Sequence, residues 1–403
     1  MKNKDRRKNE FGKENVKIMK NNNRIWKKAM ALLLSAGLIS GCGNSVSEAE
    51  NAEVESEVAA VSQMDAATVA GKEDTNNGDT FKVVCTIFPE YDWVKELVGE
   101  LSDNYEITML LDNGTDLHSY QPTVEDMAKI AECDLFLYVG GDSDEWVADA
   151  LSESVNPDRQ VIELMEVLGD AVVAEEIVEG MEHNHDHEHE EAEEEGHDHE
   201  HQETETEEHD HEHEDGETEE HHHVHENDEH VWLSLRNTKV LVEEITEHLV
   251  ALDEANADVY RANCDAYMTE LEDLDVAYAT AVAEGQKDTV VFADRFPFRY
   301  LVDDYELQYF AAFSGCSAES EASFETITFL AEKVNELDLQ TILVIENSNT
   351  NIAETVIAST EEKNQQVKIL NSMQSVTSVD VENGASYLSI MQENLEVLKE
   401  ALQ

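Results

Sequence analysis

Imidazoles and carboxylates are the groups in this 403-residue chain whose types and spacing could do chemistry. The densest set reads HNHDHEHE (183–190), HDHEH (197–201), HDHEHE (209–214) and HHHVH (221–225). It contributes His183, His185, His187, His189, His197, His199, His201, His209, His211, His213, His221, His222, His223 and His225. In an extended chain, alternate residues point the same way about 6.6 Å apart. Imidazoles two positions apart can therefore share a metal ion, helped by the carboxylates between them. The tract has almost no apolar residues to bury, which predicts disorder and only weak, transient metal binding. Its acidic neighbours favour protonated imidazole, so protons compete with metal at mildly acidic pH. A plain solvated linker is the competing reading, although a linker needs no histidine.

Of the three histidines outside the tract, two, His118 and His230, gain weight from the elements around them. FKVVCTI (81–87), YEITMLL (105–111), DLFLYV (134–139) and QVIEL (160–164) read as strands. Between them, Val94, Leu97, Val98 and Leu101 recur at helical spacing, and Thr123 with Asp126 forms a capping-box pattern. Beyond the tract, LRNTKVLVEEITEHLVAL reads as a helix, followed by about thirty residues without proline. Tyr260, Cys264, Tyr267, Leu271, Leu274, Tyr278 and Val282 give that second helix one apolar stripe. Strand–helix alternation then resumes, with strands at 289–293, 308–313, 341–346 and 366–370 and helices near 297–304, 323–336, 351–359 and 385–402. The predicted fold class is α/β, with two lobes built on parallel sheets and joined by a long backbone helix.

Ligands of open parallel sheets bind beyond the carboxyl ends of the strands. Asp112, Asp116 and His118 follow the 105–111 strand, Asp294 follows 289–293, Glu346 closes 341–346, and Asn371 follows 366–370. His230 stands at the start of the first connecting helix. Each has a plainer reading: Asp112 and Asp116 as turn formers beside Gly114, Asp294 as a helix cap, the histidines as solvated loop residues. Their convergence on strand ends from both lobes favours a metal in the inter-lobe cleft, and imidazole plus carboxylate suits zinc and also manganese.

Composition narrows the partners. The formal net charge is -66, and no Lys or Arg occurs between Arg159 and Arg236. That argues against nucleic acid as a partner, because binding phosphates requires Lys and Arg. Near the N-terminus, Arg24, Lys27 and Lys28 precede an apolar run from Ala29 to Ile39 and then LISGC. The run is too short to span a bilayer and has the length of a signal-peptide core. LISGC resembles a bacterial lipobox, in which Cys42 would be lipidated as the mature N-terminus, and Met19 sits at the usual start distance before such a signal. The remaining cysteines, Cys85, Cys133, Cys264 and Cys316, form no CxxC pair, so spacing argues against a thiolate zinc site. The expected layout is a signal peptide with lipobox (1–42), a disordered tether (43–80) and an N-terminal lobe (81–234) containing the His/acid-rich loop 181–228. Connecting helices (235–286) and a C-terminal lobe (287–403) complete it.

VVCTIFPEYDWVKELVG (83–99), GTDLHSYQPTVEDMAKIAECDLFLYVGG (114–141), DEHVWLSLRNT (228–238) and YLSIMQENLEVLKEAL (387–402) together resemble the metal-specific solute-binding lipoproteins of ABC transporters. The resemblance covers essentially all of 81–403. It implies a Zn²⁺ or Mn²⁺ ion held between the lobes, a membrane permease and its ATPase as partners, and a monomer anchored to the outer face of the cytoplasmic membrane. It implies His118 (in HSY) and His230 (in HVWLS) as ligands. The family's third ligand precedes an aromatic pattern that here reads VFADRFPFRYL, without histidine. Counting back from Phe298 places Arg295 there, so the role is expected to pass to Asp294, with Glu321 and Glu346 in reserve. Asn371 stands where a fourth, acidic ligand can occur. Two nitrogens, one carboxylate and the adjoining histidine tract favour zinc over manganese. The rival readings are a manganese-binding homologue, a surface zinc buffer or cell-adhesion protein, and a secreted zinc hydrolase, for which no HExxH pair is present.

Overall fold

The computed structural model describes residues 80–152, 155–181, 227–317 and 321–403. The signal peptide with Cys42, the tether apart from its last residue, and the histidine tract lie outside the described residues. Among the described residues, no helix is long and apolar enough to cross a membrane.

The N-terminal lobe is a parallel sheet of order β2-β1-β3-β4, made of β1 (Phe81–Cys85), β2 (Tyr105–Met109), β3 (Leu135–Tyr138) and β4 (Gln160–Glu163). Its helices are α1 (Phe88–Val98), α2 (Val124–Glu132), α3 (Val147–Ser152) and α4 (Leu164–Leu168). The Thr123–Asp126 capping box starts α2 as its sequence predicts. The C-terminal lobe repeats the arrangement as β6-β5-β7-β8, from β5 (Thr289–Phe296), β6 (Gln308–Ser314), β7 (Thr341–Val344) and β8 (Gln366–Ile369). In each sheet the chain runs outward to one side, then returns to the other side of the first strand. That reversal opens a crevice at the strand carboxyl ends.

Two helices join the lobes, α5 (Leu235–Leu252) and α6 (Ala257–Glu284). At about 1.5 Å per residue the 28-residue α6 is roughly 40 Å long. Its stripe is buried as patterned, except that Ala281 takes the last fully buried place and Val282 is half-buried. The first half of α6 holds the N-terminal lobe: Tyr260 shares a 2.7 Å hydrogen bond with Tyr105, and Asn263 donates to the Leu97 carbonyl at 2.9 Å. The second half holds the C-terminal lobe: the Tyr305 hydroxyl donates to Asp275, and Tyr278 stacks on Tyr305 at 5.3 Å. One helix thus fixes both lobes.

The remaining helices are α7 (Arg299–Asp304), α8 (Phe324–Glu336), α9 (Asn351–Ser359), α10 (Ser378–Glu382) and α11 (Tyr387–Ala401). The last does not belong to one lobe alone. The Tyr387 amide donates to Asp92 of α1, its ring meets Trp93 edge-on at 5.4 Å, and its hydroxyl donates to the Trp232 carbonyl. Along β5, Val290 and Phe292 enter the core common to both lobes, while Val291 and Ala293 enter a separate cluster under α8 and α9. This is the alternation of a strand buried on both faces.

Candidate metal centre

His118 lies in a short turn, Leu117–Ser119, beyond the carboxyl end of β2. Asp116 caps that turn by accepting the His118 amide at 3.1 Å. His230 lies where the chain enters the turn Val231–Leu233 ahead of α5, and it is fully buried. Trp232 pins that turn to the other lobe by donating to the Ser372 carbonyl at 2.8 Å.

The two imidazoles meet edge-on with Nε2 of each 3.2 Å from the other. Their opposite nitrogens are both occupied. Nδ1 of His230 is 2.9 Å from Oδ1 of buried Asp228, which also accepts the His230 amide. Nδ1 of His118 lies 2.8 Å from Ser143 Oγ and 3.3 Å from Glu229 Oε2. An acceptor oxygen beside each Nδ1 favours a ring proton there and turns the two Nε2 atoms toward a common point. At that distance the two nitrogens either share a ring proton or hold a cation between them. On a tetrahedral zinc with Zn–N bonds of about 2.0–2.1 Å, two nitrogens are roughly 3.3–3.4 Å apart, close to the separation found.

Glu229 reaches this position through Gly141. Its Oε1 accepts the Ser143 amide at 2.8 Å, and a Cβ on Gly141, whose φ is 83°, would lie 2.5 Å from that oxygen. Burial alone would raise the Glu229 carboxyl, but its contacts with His118 and Ser143 outweigh that and hold it low. Burial likewise pulls the His230 imidazole down, and the carboxylates of Asp228, Glu229 and Asp116 outweigh it, for a net rise. The site therefore carries fixed negative charge around its imidazoles before any cation arrives.

The sequence-predicted residues divide. His118 and His230 come together. Asp294 does not join them: it sits in the β-bulge of β5, between the pairings of Phe292 and Arg295, and its oxygens accept the amides of Arg295 (2.9 Å) and Ile345 (3.3 Å). Glu346 is engaged by the Ser372 amide and hydroxyl and the Gln374 amide. Asn371 accepts the Met373 amide, Asp112 the Ser378 amide, and Glu321 is exposed. Arg295 instead ties the lobes together: its guanidinium pairs with Asp116 at 2.7 Å, which keeps the Asp116 carboxyl low despite its burial.

Residues that sequence reasoning passed over complete the cluster. Asp228 and Glu229 directly precede His230, so DEH carries both carboxylates that orient the imidazoles. Cys316 follows β6, and one ligand atom from each of His118, His230 and Cys316 lies within 4.8 Å of the others. The four cysteines among the described residues are free thiols, and Cys85, Cys133 and Cys264 are buried elsewhere.

The chain is thus a pair of parallel α/β lobes sharing a long helix, with His118, His230 and Cys316 grouped where the lobes meet. A family model described as "ZnuA: Zinc-uptake complex component A periplasmic" matches residues 83–401, and the chain belongs to that family. It is 30% identical over 318 residues to the "Zinc-binding lipoprotein AdcA" of Streptococcus pneumoniae, with 79% of this chain and 55% of that protein covered. The chain thus spans about half the length of the streptococcal relatives it matches. It is 27% identical over 327 residues to the "High-affinity zinc uptake system protein ZnuA" of Bacillus subtilis, covering 81% of this chain and 89% of that one. Among solved structures, the Zn(II)-bound ZnuA-like domain of Streptococcus pneumoniae AdcA matches with a TM-score of 0.57 and 25% identity, covering 80% and 99% of the two chains.

Proposed function

We propose that this protein is a lipid-anchored, extracytoplasmic receptor that captures Zn²⁺ and hands it to a membrane permease driven by an ATPase. The single observation that carries the reading is the convergence of His118 and His230, Nε2 to Nε2 at 3.2 Å, with each Nδ1 held by a neighbouring oxygen. Imidazole donors suit zinc, whereas manganese prefers carboxylate, carbonyl and water. The reading is capture rather than hydrolysis. His230 is fully buried, and a closed shell favours retention, while a hydrolytic metal needs an open water position and a general base.

In this reading Cys42 carries the lipid, residues 43–80 are the tether, and the protein acts as a monomer. The tract from His183 to His225 is an auxiliary, weaker collector of the same ion. Its chain leaves after Met181 and returns at Asn227, where Asn227 bridges to Ala174 and the Asp228 amide donates to the Val173 carbonyl at 2.9 Å. The return thus falls directly before Asp228, Glu229 and His230.

The test is a Zn²⁺ titration of the whole chain, of a variant lacking residues 183–225, and of His118→Ala. The deletion should keep one tight site and lose only weak stoichiometry. His118→Ala should lose the tight site. Tight binding that vanishes with the deletion, or survives His118→Ala, would refute the assignment.

A further inference from the structure

We propose that Cys316 is the third donor to the ion held by His118 and His230, making the centre a two-nitrogen, one-thiolate site. The inference rests on the reading of that centre as a metal site and deepens it by assigning the ligand that sets its preference among metals.

Three features carry it. The first is the grouping itself: among the described residues, His118, His230 and Cys316 are the set of three ligand-type side chains whose donor atoms all fall within 4.8 Å of one another. Nitrogen and sulfur on a tetrahedral zinc are roughly 3.6 Å apart, given Zn–S of about 2.3 Å and Zn–N of about 2.0–2.1 Å. Movements of roughly 1 Å would bring the three donors to those separations.

The second feature is how the Cys316 loop is held. Gly315 is packed so closely that a Cβ there would lie 3.0 Å from Cε1 of His230 and 2.9 Å from the Phe296 carbonyl oxygen. The Cys316 amide donates to Glu175 at 3.0 Å, two residues after Val173, which receives the Asp228 amide. Arg295 adds a third hold, reaching the Ser317 carbonyl at 3.5 Å while it pairs with Asp116. The β6 carboxyl end is therefore seated on the His230 ring, from the C-terminal lobe. Without it, both imidazoles come from the N-terminal side of the cleft.

The third feature is what the other donors are doing. The oxygens of Asp294, Glu346 and Asp116 are committed to backbone amides, a hydroxyl or Arg295. Glu229 Oε2 lies 3.3 Å from His118 Nδ1, the ring nitrogen that does not face His230, and its Oε1 accepts the Ser143 amide. Among the described residues, Cys316 is the C-terminal-lobe side chain whose donor atom groups with both imidazoles.

On binding, the Sγ–H bond breaks, a Zn–S bond forms and the proton leaves to solvent, with no change in oxidation state. A thiolate ligand favours Zn²⁺ over Mn²⁺, since soft donors select zinc and hard oxygen donors manganese.

Co²⁺ is the probe, because a cobalt–thiolate bond gives an intense near-ultraviolet charge-transfer band that imidazole and carboxylate ligands do not. The expected result is that band at one equivalent per whole chain, displaced by Zn²⁺ and absent in Cys316→Ser. Cys316→Ser should also weaken Zn²⁺ binding by about 100-fold and leave Mn²⁺ binding within a few-fold. No band in the wild-type protein, or a band and a Zn²⁺ affinity unchanged in Cys316→Ser, overturns the inference; the wild-type spectrum decides even if the variant fails to fold. If the wild-type chain binds Zn²⁺ tightly and His118→Ala abolishes this, the zinc-receptor reading stands whether or not sulfur is bound. If no tight Zn²⁺ site exists, both fall.

Discussion

Replacing Asp228 by asparagine would remove a charge behind the metal centre while leaving its geometry in place. Oδ1 of Asp228 accepts both the amide and Nδ1 of His230 at 2.9 Å, and an asparagine carbonyl oxygen can accept the same pair. With one imidazole and a Zn–N bond of about 2.0–2.1 Å between them, the carboxylate lies roughly 6–7 Å from a bound ion. A single negative charge and a divalent cation at that distance attract by roughly 5 kcal/mol at an effective dielectric of about 20, and by about 1 kcal/mol in water. Asp228 is 1% exposed, but the His118 side chain is 13% exposed and admits solvent to the other side of the centre. The loss should fall between these limits, and carboxylates behind metal-bound histidines are worth about 10–100-fold in affinity. Asp228→Asn should therefore raise the Zn²⁺ dissociation constant by about 10–100-fold, equivalent to about 1.4–2.7 kcal/mol. A competition titration against a chromophoric chelator measures it, best on the alkaline side where protons compete least for His230. The thermal midpoint of the metal-free proteins serves as the folding control. An unchanged dissociation constant in a well-folded Asp228→Asn protein would refute the argument that this carboxylate tunes the ligand.

The inter-lobe pair and the buried acids give two further expectations. Arg295→Gln removes a positive charge beside Asp116 and should tighten Zn²⁺ binding by roughly three- to tenfold, a modest figure because both side chains are about one-fifth exposed and water screens them. Isothermal titration measures this, and weaker binding would instead make Arg295 a clamp needed for closure. Burial, aided by the charge of Asp144, pushes Glu90 up to about 8, and burial first of all pushes Asp144 up to about 7. One oxygen of each, Glu90 Oε1 and Asp144 Oδ1, is buried without a hydrogen bond. The folded state then binds more protons than the unfolded one, so stability falls as pH rises from the ordinary carboxylate range to about 8. In Glu90→Gln the urea midpoint should vary less between about pH 5 and about pH 8; an equally steep dependence would locate it elsewhere.

The fold was legible because its signals are local. β-Branched runs bounded by turn residues mark strands that coincide with the structure to within one to three residues, as with YEITMLL against Tyr105–Met109. The apolar stripe of α6 is set by helical spacing alone, so its burial follows from the sequence. The final helix was harder to place. Its pattern fixes that Tyr387 is buried, but no local signal says that its amide meets Asp92, 295 positions earlier in the chain. Assigning α11 to the C-terminal lobe by chain order therefore misses its bridging role.

At the site, the same distinction decides which residues could be found. His118 was reachable because strand carboxyl ends are where open sheets place ligands, and His230 because HVWLS resembles a family ligand motif. Asp294 satisfied that rule equally well and still does not join the imidazoles. A bulge in β5 turns its carboxylate onto two backbone amides, and a bulge is a property of strand pairing that the chain alone does not display. Cys316 failed a different test. The CxxC rule detects cysteines that meet a metal as local pairs, and it has no bearing on a single thiol that topology carries to histidines 198 and 86 positions away. What the sequence did offer was the tripeptide DEH, where a carboxylate two residues before a histidine can accept both its amide and its ring nitrogen. An orienting acid is of little use to a solvated imidazole, so that pairing marks a histidine held for a ligand. Of the fourteen histidines of the adjoining tract, all but His222 and His223 also have an acid beside them, and they differ from His230 in having no apolar sequence such as VWL to bury the pair.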